Sequence, residues 1–172
     1  MFGGKRLLGE MDDFVVYETM WDEETIRFLS DHCVKDIPVV PGTGYMVMAT
    51  ECLKNILNVG AEAMILSNIR FHSFFMLDES TKNKKIRFEY NKPKKTFSIS
   101  SSDINNEKTT HVSMDVATEI RRSVNGPDMS KYEKADLLPC GKDFYDTLAN
   151  KYKNEFAKLE MVKNTNQSLY SQ

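Results

Sequence analysis

The stretch that decides the fold is Pro41-Gly42-Thr43-Gly44-Tyr45-Met46-Val47-Met48-Ala49-Thr50-Glu51-Cys52-Leu53-Lys54-Asn55-Ile56-Leu57-Asn58-Val59-Gly60. Proline suits a first helical position, because its fixed φ is helical and its missing N–H would have had no partner there. Cys52, Ile56 and Val59 form one row at helical spacing, and Ala49, Leu53 and Leu57 form another. Tyr45, Met46, Val47 and Met48 extend the apolar character around the circumference. Such a helix is buried rather than laid on a surface. Gly60 is a natural stop just past its end.

Upstream of the helix, His32 stands nine residues before the Pro41-Gly42 pair. An imidazole beside a helix N-terminus is a workable site for carbonyl chemistry. The ring moves a proton near neutral pH, and the first N–H groups of the helix can hold a carbonyl oxygen. Residues 14–20 (Phe-Val-Val-Tyr-Glu-Thr-Met) are β-branched and aromatic and predict a strand. Asp22 then reads as the N-cap of a short helix with Glu23 and Glu24 in its first turn. Ile26, Phe28 and Leu29 are its apolar contacts, and it delivers the chain to His32.

Downstream, the period changes to that of strands. Residues 64–77 are a long apolar and aromatic run. In residues 84–90, Ile86, Phe88 and Tyr90 alternate with Lys85, Arg87 and Glu89. Residues 96–102 alternate around Phe97 and Ile99, and residues 110–121 around Val112, Met114 and Val116. Short polar turns between such strands make an antiparallel meander. One apolar helix followed by these strands implies an α+β layer arrangement, a curved sheet wrapped around a central helix. Residues 125–140 read as a linker. In residues 143–160, Phe144, Leu148, Tyr152 and Phe156 fall at four-residue spacing and predict a second helix.

The 172 residues suffice for about one domain. A net charge of -2 argues against a nucleic-acid surface, which needs a basic excess. Cys33, Cys52 and Cys140 are widely spaced and form no CxxC pair, which disfavours zinc and redox motifs and fits a cytoplasmic protein. No window approaches 18 uncharged apolar residues, and residues 1–6 lack the apolar run of a signal peptide, so neither a membrane span nor a targeting segment is expected.

The segment His32-Cys33-Val34-Lys35-Asp36-Ile37-Pro38-Val39-Val40-Pro41 resembles the HxxxGxxxxP motif of polyketide synthase dehydratase domains, a double hot-dog family. Flanking segments resemble the same family in the same order. Arg6-Leu7-Leu8-Gly9 is similar to its opening PLLG, Phe28-Leu29-Ser30-Asp31-His32 to WLxDH, and Gly44-Tyr45-Met46-Val47-Met48-Ala49 to GYLEMA. Asn68-Ile69-Arg70-Phe71-His72-Ser73-Phe74-Phe75-Met76-Leu77 is similar to its VxFxxPLxL strand, and Thr110-His111-Val112-Ser113 to the last strand of its first hot dog. Phe144-Tyr145-Asp146-Thr147-Leu148 and Tyr152-Lys153-Asn154-Glu155-Phe156 are similar to the helix that opens its second hot dog.

The resemblance implies a hot-dog domain over residues 1–124, the linker over 125–140, the second-half helix over 141–162 and a polar tail over 163–172. It implies removal of water from a 3-hydroxyacyl thioester held on the phosphopantetheine of an acyl carrier protein. No metal or other cofactor is implied. His32 would take the α proton, and the backbone of Val40, Pro41, Gly42, Thr43 and Gly44 would steady the developing enolate oxygen. In the family a carboxylic acid from the second hot dog protonates the leaving hydroxyl. Two departures stand out. Asp36 replaces the motif glycine, and Val47 stands where a glutamate often sits, which leaves Glu51, one turn on, as the nearest candidate acid. His72 and His111 read as structural. The Lys82–85 and Lys92–95 runs read as solvated hairpin ends, or as a surface for an acidic carrier. The partners implied are the carrier protein and either a second copy or a second hot-dog half. Two alternatives remain open, an enoyl double-bond isomerase of the same fold and a non-catalytic carrier-docking module.

Overall fold

Chain order places one long helix after the first two strands of the main sheet and ahead of the other four. The computed structural model describes residues 6–119 together with three short strands at 136–139, 150–152 and 161–164. The long helix, α2 (Gly42–Leu57), is preceded by α1 (Glu23–Leu29). The described strands are β1 (Arg6–Glu10), β2 (Phe14–Met20), β3 (His32–Val34), β4 (Ile37–Pro38), β5 (Met64–Phe71), β6 (Lys85–Asn91), β7 (Thr96–Ser102), β8 (Lys108–Thr118), β9 (Asp136–Pro139), β10 (Asn150–Tyr152) and β11 (Met161–Asn164). The main sheet is antiparallel with the order β1-β2-β6-β7-β8-β5.

Why these residues form these elements is visible in the burial pattern. Ile86 and Phe88 of β6, Phe97 and Ile99 of β7, and Val112, Met114 and Val116 of β8 all point into the core at period two. They meet Met48, Ala49, Cys52 and Leu53 of α2, and the Phe88 and Phe97 rings stack with centroids 6.4 Å apart. The helix is buried along one broad face rather than all around, since Val47 is 48% exposed. Asp22 caps α1 as expected, accepting from the Thr25 N–H at 2.7 Å.

Several expectations shift. Pro41 is the N-cap of α2 rather than its first helical residue. The helix stops at Asn58, in left-handed conformation at φ 51°, two positions before Gly60. Asparagine tolerates that conformation, so the glycine is not needed there. The strand expected over 64–77 leaves the sheet at Phe71. The following segment crosses to the hairpin of β3 and β4, where Val40 N–H donates to Phe75 O at 3.0 Å and Leu77 N–H to Pro38 O at 2.9 Å. The opening segment, read only as a motif, is β1, paired to β2 with a register shift between Leu7 and Gly9.

Two β-bulges shape the far side of the sheet. On β5, Ser67 faces Asp115 and Arg70 faces Ser113, so two residues oppose one, and Asn68 turns to φ 49°. On β8, Val112 faces Ile99 and Thr110 faces Ser100, which leaves His111 as the extra residue. His111 and Val112 are consequently both buried although they are neighbours.

The second half of the expected domain plan lies mostly outside the described residues. Where it is described it is extended. Tyr152 pairs with His32, Lys151 with Cys33 and Asn150 with Val34, so the helical reading of 141–162 does not hold at 150–152, nor at 161–162, which are strand as well. Positions 136–139 of the expected linker pair with β11, which begins at Met161. Backbone pairing to another strand outweighs the four-residue apolar spacing at these positions.

Candidate active site

β3 and β4 form a hairpin closed by Lys35 and Asp36, both left-handed at φ 49° and 66°. Positive φ at both central residues defines a type I′ turn, whose twist matches the strands it joins. This explains why a glycine suits the position of Asp36. Asp36 keeps the turn, because aspartate is among the residues that visit this region. Its side chain is exposed at the tip, whereas His32 lies at the other end of the hairpin.

His32 is buried and locked to its cross-strand neighbour from both backbone and ring. Val39 N–H donates to His32 O at 3.0 Å, and His32 Nδ1 lies 3.1 Å from the Val39 carbonyl. A carbonyl only accepts, so Nδ1 carries the proton and Nε2 is the basic nitrogen of the neutral ring.

The imidazole lines a pocket of about 490 Å³. Val39, Val40, Gly42, Tyr45 and residues 71–74 complete most of its wall. Gly42 brings the N-terminus of α2 to this pocket. A Cβ there would meet Phe71 Cζ at 3.1 Å, so glycine lets the Phe71 ring lie against the helix start. Of the backbone groups expected to steady an oxyanion, Val40 N–H and Gly44 N–H are already used, donating to Phe75 O at 3.0 Å and Pro41 O at 2.9 Å, and Pro41 has no N–H. Gly42 and Thr43 are the helix N–H groups that have no acceptor within the helix.

The structure brings His32, Val40 and Gly42 to one pocket, with Pro41 and Thr43 adjoining. Glu51 is not brought there. Its carboxylate is exposed and pairs with Lys54 at 3.2 Å, about two and a half turns along α2 from Gly42. Among the described residues no aspartate or glutamate lines the His32 pocket, and no group of residues could hold a metal ion.

Two histidines read as structural stand at this site. His72 lines the pocket and its Nε2 lies 2.8 Å from Ser113 Oγ. His111 lies behind the wall, with Nδ1 3.2 Å from the Ser73 carbonyl and Nε2 2.7 Å from Ser101 Oγ. Burial holds its pKa below the ordinary 6.5, against the pull of the Ser73 carbonyl, and the nearby Lys84 ammonium acts in the same sense as burial. The Tyr45 phenol, which lines the pocket, is pushed well above its ordinary range by burial, with the Phe75 backbone acting the other way, so it stays protonated. For the two histidines the sequence carried no signal beyond the strand patterns around them. The bulge at position 111 reverses the facing that alternation assigns.

The lysine runs are partly engaged. Lys92 pairs with Glu10 at 2.7 Å, Lys85 with Glu18 at 3.2 Å and Lys84 with Asp78 at 3.7 Å. Among the described residues no helix is long and apolar enough to cross a membrane.

A curved antiparallel sheet closed around one helix, with a histidine hairpin at the N-terminus of that helix, is the hot-dog arrangement. Solved structures share it. The dehydratase domain from the CurF module of the curacin polyketide synthase superposes with a TM-score of 0.77 at 19% identity, over 93% of this chain and 60% of that one. The CurK dehydratase domain of the same synthase gives 0.72 at 18%, over 93% and 58%. The dehydratase domain of PpsC from Mycobacterium tuberculosis gives 0.68 at 17%, over 91% and 55%. The family model described as polyketide synthase dehydratase domain matches residues 4–102, and the chain belongs to that family. No curated protein matches it in sequence. The chain spans about 60% of the length of the CurF and CurK dehydratase domains.

Proposed function

We propose that this chain carries the proton-abstracting half of a dehydratase site for 3-hydroxyacyl thioesters borne on an acyl carrier protein. The observation that carries the reading is His32 itself. Its Nδ1–H is committed to the Val39 carbonyl, so Nε2 is the base, and the ring shares a pocket with the N-terminus of α2. A thioester carbonyl near Gly42 meets helical N–H groups and the positive end of the helix dipole, which favours the enolate as the α proton leaves. Expulsion of the 3-hydroxyl needs a proton donor. Glu51 is placed away from the pocket, so the donor is supplied by the second hot-dog half that the family adds.

A second reading has its own support. A base without a carboxylic acid suffices to shift a double bond, since it removes a γ proton from an enoyl thioester and returns it at the α carbon. One solved relative, matching with a TM-score of 0.58 at 21% identity, is described as an isomerase-inactive variant of the GphF DH1 domain. Enoyl isomerisation is therefore the alternative activity of the same pocket.

Deuterium incorporation at the α carbon of a 3-hydroxyacyl pantetheine thioester, followed by NMR in heavy water, reads the base step apart from water loss. The wild-type chain exchanges the α proton. His32→Ala slows exchange by about 100-fold or more, as expected for a positioned general base. Glu51→Gln exchanges at the wild-type rate. Equal rates in wild type and His32→Ala, on both hydroxyacyl and enoyl thioesters, would overturn the proposal.

A further inference from the structure

His111 touches the pocket wall at several points. Its imidazole is turned inward by the β8 bulge and is 3% exposed. Because the Ser73 carbonyl can only accept, Nδ1 carries the proton and Nε2 accepts from the Ser101 hydroxyl. The ring stacks on Tyr45, with centroids 6.2 Å apart and planes at 12°, and meets Phe75 edge-on at 5.0 Å. Its own carbonyl accepts from His72 N–H at 2.8 Å. One residue thus holds His72 and Ser73 from the wall, Tyr45 from the helix side, and Phe75, whose carbonyl accepts from Val40 N–H.

We propose that His111 is a positioning residue of the His32 pocket. As a neutral imidazole it fixes where the wall formed by residues 71–75 stands against the Gly42 end of α2, and so how an acyl thioester lies over His32. This role rests on the reading of the pocket as an acyl-thioester site. Protonation of the ring would place a cation at a buried position near the partly exposed Lys84 ammonium, which itself lies 5.5 Å from the Phe75 ring. Also close by are Tyr45, protonated, His72, and Asp78, which pairs with Lys84. Neutral His111 therefore keeps the wall closed, and acid loosens it.

The discriminating pair of variants is His111→Phe, which keeps a ring, and His111→Asn, which keeps an N–H donor near the position of Nδ1. With the pantetheine thioester as substrate, His111→Phe loses about 10- to 100-fold in kcat/KM, the scale of a misplaced positioning group. His111→Asn recovers most of that loss. Hydrogen exchange on the same proteins gives a readout independent of turnover. Protection falls at the amides of His72 and Val40 in His111→Phe, while the amides of β6 and β7 keep theirs. Equal kcat/KM losses in the two variants, or protection lost evenly across the sheet, would refute the role. If the wild-type chain acts on no thioester, the acyl-thioester reading falls, yet the exchange pattern still decides the positioning role. Should His111→Phe fail to fold, nitrogen NMR of the wild-type ring decides, because a neutral ring protonated at Nε2 instead of Nδ1 overturns the geometry.

Discussion

Asp36 shows how one backbone angle shapes the motif around His32. Its φ of 66° lies where a Cβ costs energy, and the I′ turn it completes sets the register that pairs His32 with Val39. Replacing Asp36 with glycine removes the steric cost and adds back some freedom to the unfolded chain, and the first term is larger. Asp36→Gly is expected to raise stability by about 0.5–1 kcal/mol, read as a shift in the urea midpoint at constant slope. His32 illustrates the complementary case, a side chain whose tautomer is set by a neighbouring carbonyl rather than by its own chemistry.

At the scale of elements, α2 supplies both the core and one rim of the pocket. Leu53 is fully buried between the sheet and the helix, and Gly42 opens the same helix into the pocket. Leu53→Ala is expected to cost about 2–5 kcal/mol in chemical denaturation, because the rigid sheet around it cannot collapse into the space left. The bulges on β5 and β8 matter for a different reason. They end the regular alternation where the chain leaves the sheet, carrying residues 72–77 across to the His32 hairpin. Without that crossing the pocket would have no second wall.

For the whole molecule, the buried neutral His111 links stability to pH. Its folded pKa lies below the unfolded 6.5, so the unfolded chain binds the proton more readily. The stability this contributes is complete above about pH 6.5 and is lost as pH falls through the lower folded value. Urea midpoints are expected to drop between pH 7.5 and pH 5, with a shallower drop in His111→Asn. Phe71 at the end of β5 and Phe74 and Met76 on the crossing segment are each more than half exposed. The solved dehydratase domains continue well beyond the length matched here.

How much of this was legible in the sequence differs between fold and site. Period-two alternation in residues 85–91, 96–102 and 108–118, and the apolar rows of α2, are local patterns tied to burial, so they marked the sheet and its helix directly. The spacing from His32 to Pro41 marked the histidine hairpin and the helix start. The early stop of α2 at Asn58, the end of β5 at Phe71 and the strand at Asn150–Tyr152 were not legible, because each depends on a partner far along the chain. The sequence by itself determined the sheet, the helix it encloses and the histidine motif, since those follow from side-chain periodicity and backbone preference. Only the tertiary structure decided that Glu51 faces solvent and that His72 and His111 stand at the pocket. The two histidine placements come from a bulge and a crossing, which bring residues about 40 to 80 positions apart into contact and leave no periodic trace.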